Sequence, residues 1–161
     1  MARDYPARPL VGLGVIALRS LPSAAEVLLI RRATPPNAGA WSLPGGAQEL
    51  GERAEAGARR ELLEETSVTV GPLNLIAHVD IIQHDPAGRV QYHYTILDFC
   101  GAWTGGDAVA GSDVSAVAWV PVATLSRYAV SDEVRRVVTL AVSWATNPEI
   151  SSGGGTVALG N

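Results

Sequence analysis

Five charged residues at fixed offsets dominate the chain: Glu52, Arg60, Glu61, Glu64 and Glu65, all within the run GAQELGERAEAGARRELLEETSV from Gly46 to Val68. At about 100° per residue, a helix puts Glu61, Glu64 and Glu65 on one face as i, i+3 and i+4 neighbours, roughly 5–6 Å apart. Carboxylates so placed repel by roughly 0.2–0.5 kcal/mol per pair, and the C-terminal end of a helix disfavours anions further. A hard divalent cation turns that repulsion into ligation, because magnesium and manganese take carboxylate oxygens and keep waters for a phosphate-bearing substrate. The pattern predicts a metal site for cleaving a diphosphate.

The competing account is a solvated, charged helix face, with Arg60 at i, i+4 from Glu64 as a partial neutraliser. The preceding Leu43-Pro44-Gly45-Gly46 decides against it. That segment cannot be helical, and its glycines expose backbone groups toward a ligand, so a carbonyl oxygen can join the carboxylate cluster.

Gly46, Glu52, Arg60, Glu61, Leu62, Glu64, Glu65 and Val68 match the signature of the Nudix hydrolases, and the segment resembles that family at all but one position. Ser67 stands where the family usually has glycine, whose role is to end the helix in a left-handed cap; serine there costs about 1 kcal/mol of strain or reshapes the cap. Six exact and two apolar matches arise by chance somewhere in such a chain on the order of once in a million.

The resemblance, which extends from Pro9 to Val138, implies an α+β domain with the Nudix fold: a three-layer α/β/α sandwich around a mixed sheet. It implies Mg2+ or Mn2+ as cofactor, with Glu64 and Glu65 as principal ligands and the Gly45 carbonyl as another. Glu61 is then either a further ligand or the group that deprotonates water. Glu52 and Arg60 become a structural brace between loop and helix, in which a buried bidentate pair is costly to break from one side. Family members often take one more acid from a late loop, which makes Asp113 in Gly111-Ser112-Asp113 the candidate ligand or base and Asp107 the runner-up; an Asp in such a loop is otherwise a turn former. Arg32 is the candidate for the substrate phosphates, with Arg31 on the opposite face, and Trp41 could stack a base, although an aromatic at a strand start more often packs in the core.

The activity implied is hydrolysis of a nucleoside diphosphate linked to another moiety X, as in ADP-ribose, to a nucleoside monophosphate and phosphorylated X; the stretches VQYHYTILDF and AWVPVATL favour this branch. The alternative is a nucleoside triphosphate pyrophosphohydrolase that removes damaged nucleotides. A non-catalytic nucleotide sensor of the same fold is least favoured, because every signature glutamate is intact and no DNA-binding segment is evident.

Composition is that of one well-buried domain: 161 residues, 47% hydrophobic, with a mean hydropathy of +0.17. A net charge of −4 and a pI near 5.3 argue against a nucleic-acid polymer or an anionic membrane as partner, which leaves a small nucleotide; a homodimer is compatible with this. All 12 basic residues are arginine, which reflects genome composition more than function. Cys100 is alone, so it can form neither an intramolecular disulfide nor a cysteine zinc site. His78, His84 and His93 lack metal-ligand spacing. The N-terminus shows no apolar leader and Leu10–Leu18 is too short to span a bilayer, so a cytoplasmic protein is expected.

Elements that must position the acids follow from periodicity. Leu10–Leu18 and Glu26–Arg31 read as strands, Trp41–Leu43 as a short one, and Arg53–Thr66 as the helix carrying the acids. Val68–Val79, turning at Gly71-Pro72, and Val90–Cys100 read as strands, the latter alternating through Tyr92, Tyr94, Ile96 and Asp98 as a half-exposed sheet does. Val117–Val120 is another short strand, and Ser131 caps a final helix to about Ala145. Residues 1–146 form the domain; 147–161, rich in Gly and Ser, is expected to be a flexible tail.

Overall fold

A computed structural model describes residues 3–34 and 37–147. The order is β1 (Leu10–Arg19), β2 (Glu26–Arg32), β3 (Trp41–Ser42), β4 (Gly45–Ala47), α1 (Ala54–Thr66), β5 (Thr69–Val70), β6 (Asn74–His84), β7 (Val90–Gly105), β8 (Val114–Pro121), a 3-10 helix over Val122–Arg127, and α2 (Asp132–Thr146). The expected tail falls, from 148 on, outside the described residues.

The sheet runs β3-β2-β1-β7-β5, with β4 pairing β1, β6 pairing β7 and β8 pairing β2. It is mixed because β1 and β7 are parallel while the other pairs are antiparallel. β1 is buried on both faces, which is why it reads as a nearly unbroken apolar run. One face, carrying Leu13, Val15, Ala17 and Leu28, packs on Ala58 and Leu62 of α1. The other, carrying Ile16, Leu18, Val27 and Leu29, packs on Val137, Val138 and Ala141 of α2. The result is the three-layer sandwich that the family resemblance implied.

Several boundaries differ from the sequence reading, each for a physical reason. Gly45 and Gly46, expected only as part of a non-helical segment with exposed backbone, belong to a strand, Gly45–Ala47, paired to β1 through Gly14↔Gly45, Leu13↔Gly46 and Gly12↔Ala47. It is held by backbone alone and so leaves no side-chain pattern. β6 runs past its expected end at Val79 to His84, into a hairpin whose tip is polar, while β7 starts at Val90 as expected and runs on past Cys100 to Gly105; Asp85 closes the hairpin by accepting from the backbone N–H groups of Ala87 and Arg89, each at 2.9 Å. Asp98, in the alternating set of Tyr92, Tyr94 and Ile96 that the sequence assigned to neither face, is buried at 5% exposure. Ser131 caps α2 as expected, accepting from the Val134 N–H at 3.2 Å.

The end of α1 matters most for the acids. Ser67 adopts the left-handed conformation, φ 60° and ψ 17°, and its N–H donates to the Leu63 carbonyl at 2.9 Å. The serine thus keeps the shape of a glycine cap and bears its strain. The loop before β8 closes over the same end: the N–H groups of Val109 and Gly111 donate to the carbonyls of Thr66 and Glu65, both at 2.9 Å. Because the strain is local and Ser67 is exposed, Ser67→Gly is expected to stabilise the protein by up to about 1 kcal/mol, raising Tm by roughly 2–4 °C. A melt showing a lower Tm would mean that the serine side chain contributes more than its backbone costs.

Candidate active site

The acids meet where the C-terminal half of α1, the edge of β4 and the loop before β8 converge. Val15 donates to the Pro44 carbonyl at 2.9 Å, so the next pair, Gly14↔Gly45, falls at a non-hydrogen-bonded position of the antiparallel ladder. Gly45 therefore turns its N–H and carbonyl away from β1. The N–H donates to Glu65 Oε2 at 2.8 Å. One residue on, a Cβ at Gly46 would lie 2.4 Å from the Glu61 carboxyl carbon, so the glycine makes room for Glu61 to lie against the strand.

Arg60 organises the rest. Its Nε donates to Glu52 Oε1 at 2.7 Å and Nη2 to Glu52 Oε2 at 3.0 Å, a bidentate pair. The Nη1 group reaches Glu61 Oε1 at 2.7 Å and Glu64 Oε2 at 3.3 Å, and Nη2 also donates to the Ala47 carbonyl at 3.3 Å. Glu52 further accepts the Glu49 N–H at 3.0 Å. These contacts hold the Glu52 carboxyl down to about 2 and push the Arg60 guanidinium pKa up.

Glu61, Glu64 and Glu65 line a cleft of about 290 Å3 together with Ser112 and Asp113. Burial pushes the Glu65 carboxyl up to about 7; the Gly45 N–H opposes this, Glu61 and Asp113 add to it, and Arg32 opposes it. Asp113 is thus brought to the glutamates by the loop that caps α1, whereas Asp107, on the same loop, is exposed and lies outside the cleft lining. Arg32 is close enough for its charge to be felt at Glu65. Trp41 is not brought to the cleft: its half-buried ring packs edge-on against Tyr128, 5.6 Å between centroids, among the α2-side core.

Among the described residues no three acidic, histidine or cysteine side chains already converge at ligating distance; Glu61 is turned to Arg60 and Glu65 to Gly45. The donor chemistry nonetheless fits a hard cation. Every donor lining the cleft is oxygen, the acids outnumber the arginine that neutralises them, and Glu65 is pushed up first by burial and further by the Glu61 and Asp113 charges. Sequence reasoning missed the capping role of Val109 and Gly111, since backbone donors carry no residue signature. It also missed the burial of Asp98, for which a signal existed: a lone charge inside the apolar run TILDFC.

The brace makes a pH-dependent prediction. Glu52 sits below its ordinary 4.5 in the folded state, so its contribution to stability is full above that value and is lost as pH falls through about 2. Glu52→Gln should lower Tm by several degrees at pH 7, and the gap to wild type should narrow steadily below pH 4.5. Equal melting of the two proteins at pH 7 would remove the brace.

Comparison with known proteins identifies the family. Residues 10–140 match the NUDIX domain family. A putative 8-oxo-dGTP diphosphatase of Bacillus subtilis is 34% identical over 113 residues, covering 70% of this chain and 68% of that protein. An ADP-ribose pyrophosphatase of Methanocaldococcus jannaschii is 32% identical over 108 residues, 67% of this chain and 62% of that protein. Among solved structures, the NUDIX domain of Shewanella oneidensis NrtR, complexed with ADP ribose, superposes with a TM-score of 0.73 at 21% identity, covering 88% of this chain and 91% of that one. With the family matched over most of its length and the signature acids gathered at one cleft, the chain belongs to the NUDIX family of hydrolases.

Proposed function

We propose that this chain hydrolyses the diphosphate bond of a nucleoside diphosphate linked to another moiety, an ADP-ribose-like substrate, giving a nucleoside monophosphate and the phosphorylated moiety. The observation that carries it is the convergence of Glu61, Glu64, Glu65 and Asp113 on one cleft beside the outward-facing backbone of Gly45. The M. jannaschii relative, named an ADP-ribose pyrophosphatase, supports the substrate class. A second reading, a pyrophosphohydrolase of damaged nucleoside triphosphates, is supported by the B. subtilis relative.

Glu64, Glu65 and the Gly45 carbonyl, with Glu61 or Asp113, are the groups that would hold Mg2+ or Mn2+. Bound there, the cation would supply charge neutralisation at the diphosphate oxygens and lower the pKa of a coordinated water. Glu61, pressed against Gly46 and tethered by Arg60, is positioned to take a proton from the attacking water, and Asp113 offers the same service from the loop side. Arg32 supplies positive charge beside Glu65, where phosphate oxygens would sit. Glu52 and Arg60 act on the loop and helix rather than on substrate. A cytoplasmic setting is part of this reading; among the described residues no helix is long and apolar enough to cross a membrane.

The test is a magnesium-dependent screen of ADP-ribose, dGTP and 8-oxo-dGTP with product identification. AMP plus ribose phosphate is expected; pyrophosphate release from a triphosphate would favour the second reading, and no hydrolysis of any of them would sink both. On the active substrate, Glu64→Gln and Glu65→Gln should each lower kcat by roughly 10²–10⁴ without loss of fold. Asp113→Asn should lower kcat with Tm unchanged while Asp107→Asn stays silent, because only Asp113 lines the cleft. Activity within twofold of wild type for Asp113→Asn would remove that residue from the chemistry.

A further inference from the structure

Asp98 sits mid-sheet on β7, with Gly14 of β1 as its neighbour on one side and Ala77 of β6 on the other. It is 5% exposed, and no described donor makes a hydrogen bond or ion pair with its carboxyl. The nearest charges are those of Glu133 and Arg136 on α2. Arg136 is committed to Glu133, its Nε donating to Glu133 Oε1 at 2.9 Å and its Nη2 to the same oxygen. Burial and the Glu133 charge push Asp98 up to about 6, against the pull of Arg136.

Beside it, the α2-facing side of β1 is notched. Gly12 and Gly14 share the face that carries Ile16 and Leu18 two and four residues on. A Cβ at Gly14 would lie 2.1 Å from Asp98 Oδ1, and one at Gly12 3.1 Å from Ile96 Cγ1. Two glycines weaken a central strand, and an unpaired buried carboxyl costs more. An apolar residue at 98 with a side chain at 14 would avoid both costs, so packing alone does not account for the arrangement.

The register supplies direction. Gly14 pairs with Asp98 on one side and with Gly45 on the other, so Asp98, Gly14 and Gly45 form a row across three strands. At about 4.8 Å per strand, the row places Asp98 about 10 Å from the glycine that holds Glu65. An interval of that length is within the span of a nucleoside whose phosphates lie at the acid cleft.

We propose that Asp98 is the specificity-determining residue for the nucleoside: its carboxylate accepts hydrogen bonds from N–H or O–H donors of the purine edge or the ribose when the diphosphate occupies the acid cleft. This rests on the diphosphate-hydrolase reading above. A carboxylate left without a donor in the free protein, its oxygens not sealed from solvent, favours a ligand that supplies donors and disfavours one that presents acceptors.

The experiment is steady-state kinetics of wild type, Asp98→Asn and Asp98→Leu on ADP-ribose and dGTP with magnesium, together with melts of the unliganded proteins. Asp98→Asn should raise KM by roughly 10–100-fold with kcat within threefold, as loss of a charge-assisted hydrogen bond implies. Both variants should melt at or above the wild-type Tm, because they remove an unpaired buried charge. A KM increase on ADP-ribose alone would assign the contact to a donor that dGTP lacks, the adenine amino group or a ribose 2′-hydroxyl; an increase on both substrates would assign it to a donor they share, such as the 3′-hydroxyl. Unchanged KM on both, or a Tm below wild type in both variants, would overturn the proposal and leave Asp98 a structural residue. Should wild type hydrolyse neither substrate, the hydrolase reading fails separately; AMP and dGMP then serve as probes, and a Tm shift seen in wild type and lost in Asp98→Asn supports the role, while equal shifts or none overturn it.

Discussion

A single guanidinium holds this site in tension. Arg60 binds Glu52 with two hydrogen bonds, Glu61 with one and Glu64 with a longer one, so one positive charge is shared among three carboxylates. The contact ties the loop after β4 to α1 and fixes where the acidic face of the helix points. It also leaves the face undercompensated. Glu65 and Asp113 lie beyond its reach, and Glu65 has only the Gly45 N–H and the more distant Arg32 charge against its own burial. A cluster built this way gains from a cation far more than an exposed acidic helix would, because its charges are partly desolvated and cannot disperse.

The same economy of space recurs across the sheet. Gly46 lacks a side chain because Glu61 occupies that volume, and Gly14 lacks one because Asp98 does. Both carboxylates flank the segment where β1 and β4 pair, one at the cleft and one on the α2 side. A substrate lying across this short ladder would meet metal-binding acids at its phosphates and a hydrogen-bond acceptor at its nucleoside, all carried on rigid strands and one helix rather than on long loops.

Much of this was legible in the sequence where side chains recur with a period. The 3- and 4-residue spacing of Glu61, Glu64 and Glu65 placed them on one helical face, Ser131 announced α2, and the alternation of Leu13, Val15 and Ala17 with Ile16 and Leu18 is what lets β1 serve both cores. The illegible parts depend on backbone or on three-dimensional neighbours. β4 is glycine pairing with no side-chain pattern; the caps on Thr66 and Glu65 are backbone N–H groups; and the β6–β7 hairpin extends beyond the core, where polar residues need not alternate. For Trp41 the sequence left base stacking beside the more common core packing, and its ring lies against Tyr128 among the α2-side core. The burial of Asp98 was not legible in the alternation because a period-2 pattern does not say which phase faces solvent when helices cover both faces of a sheet.

Direct titration of the protein with Mn2+, following the free ion by electron paramagnetic resonance, tests whether these acids form a cation site. The account predicts saturable binding to wild type that Glu65→Gln weakens tenfold or more. Absence of bound Mn2+ at millimolar concentrations, or wild-type binding by Glu65→Gln, would contradict it.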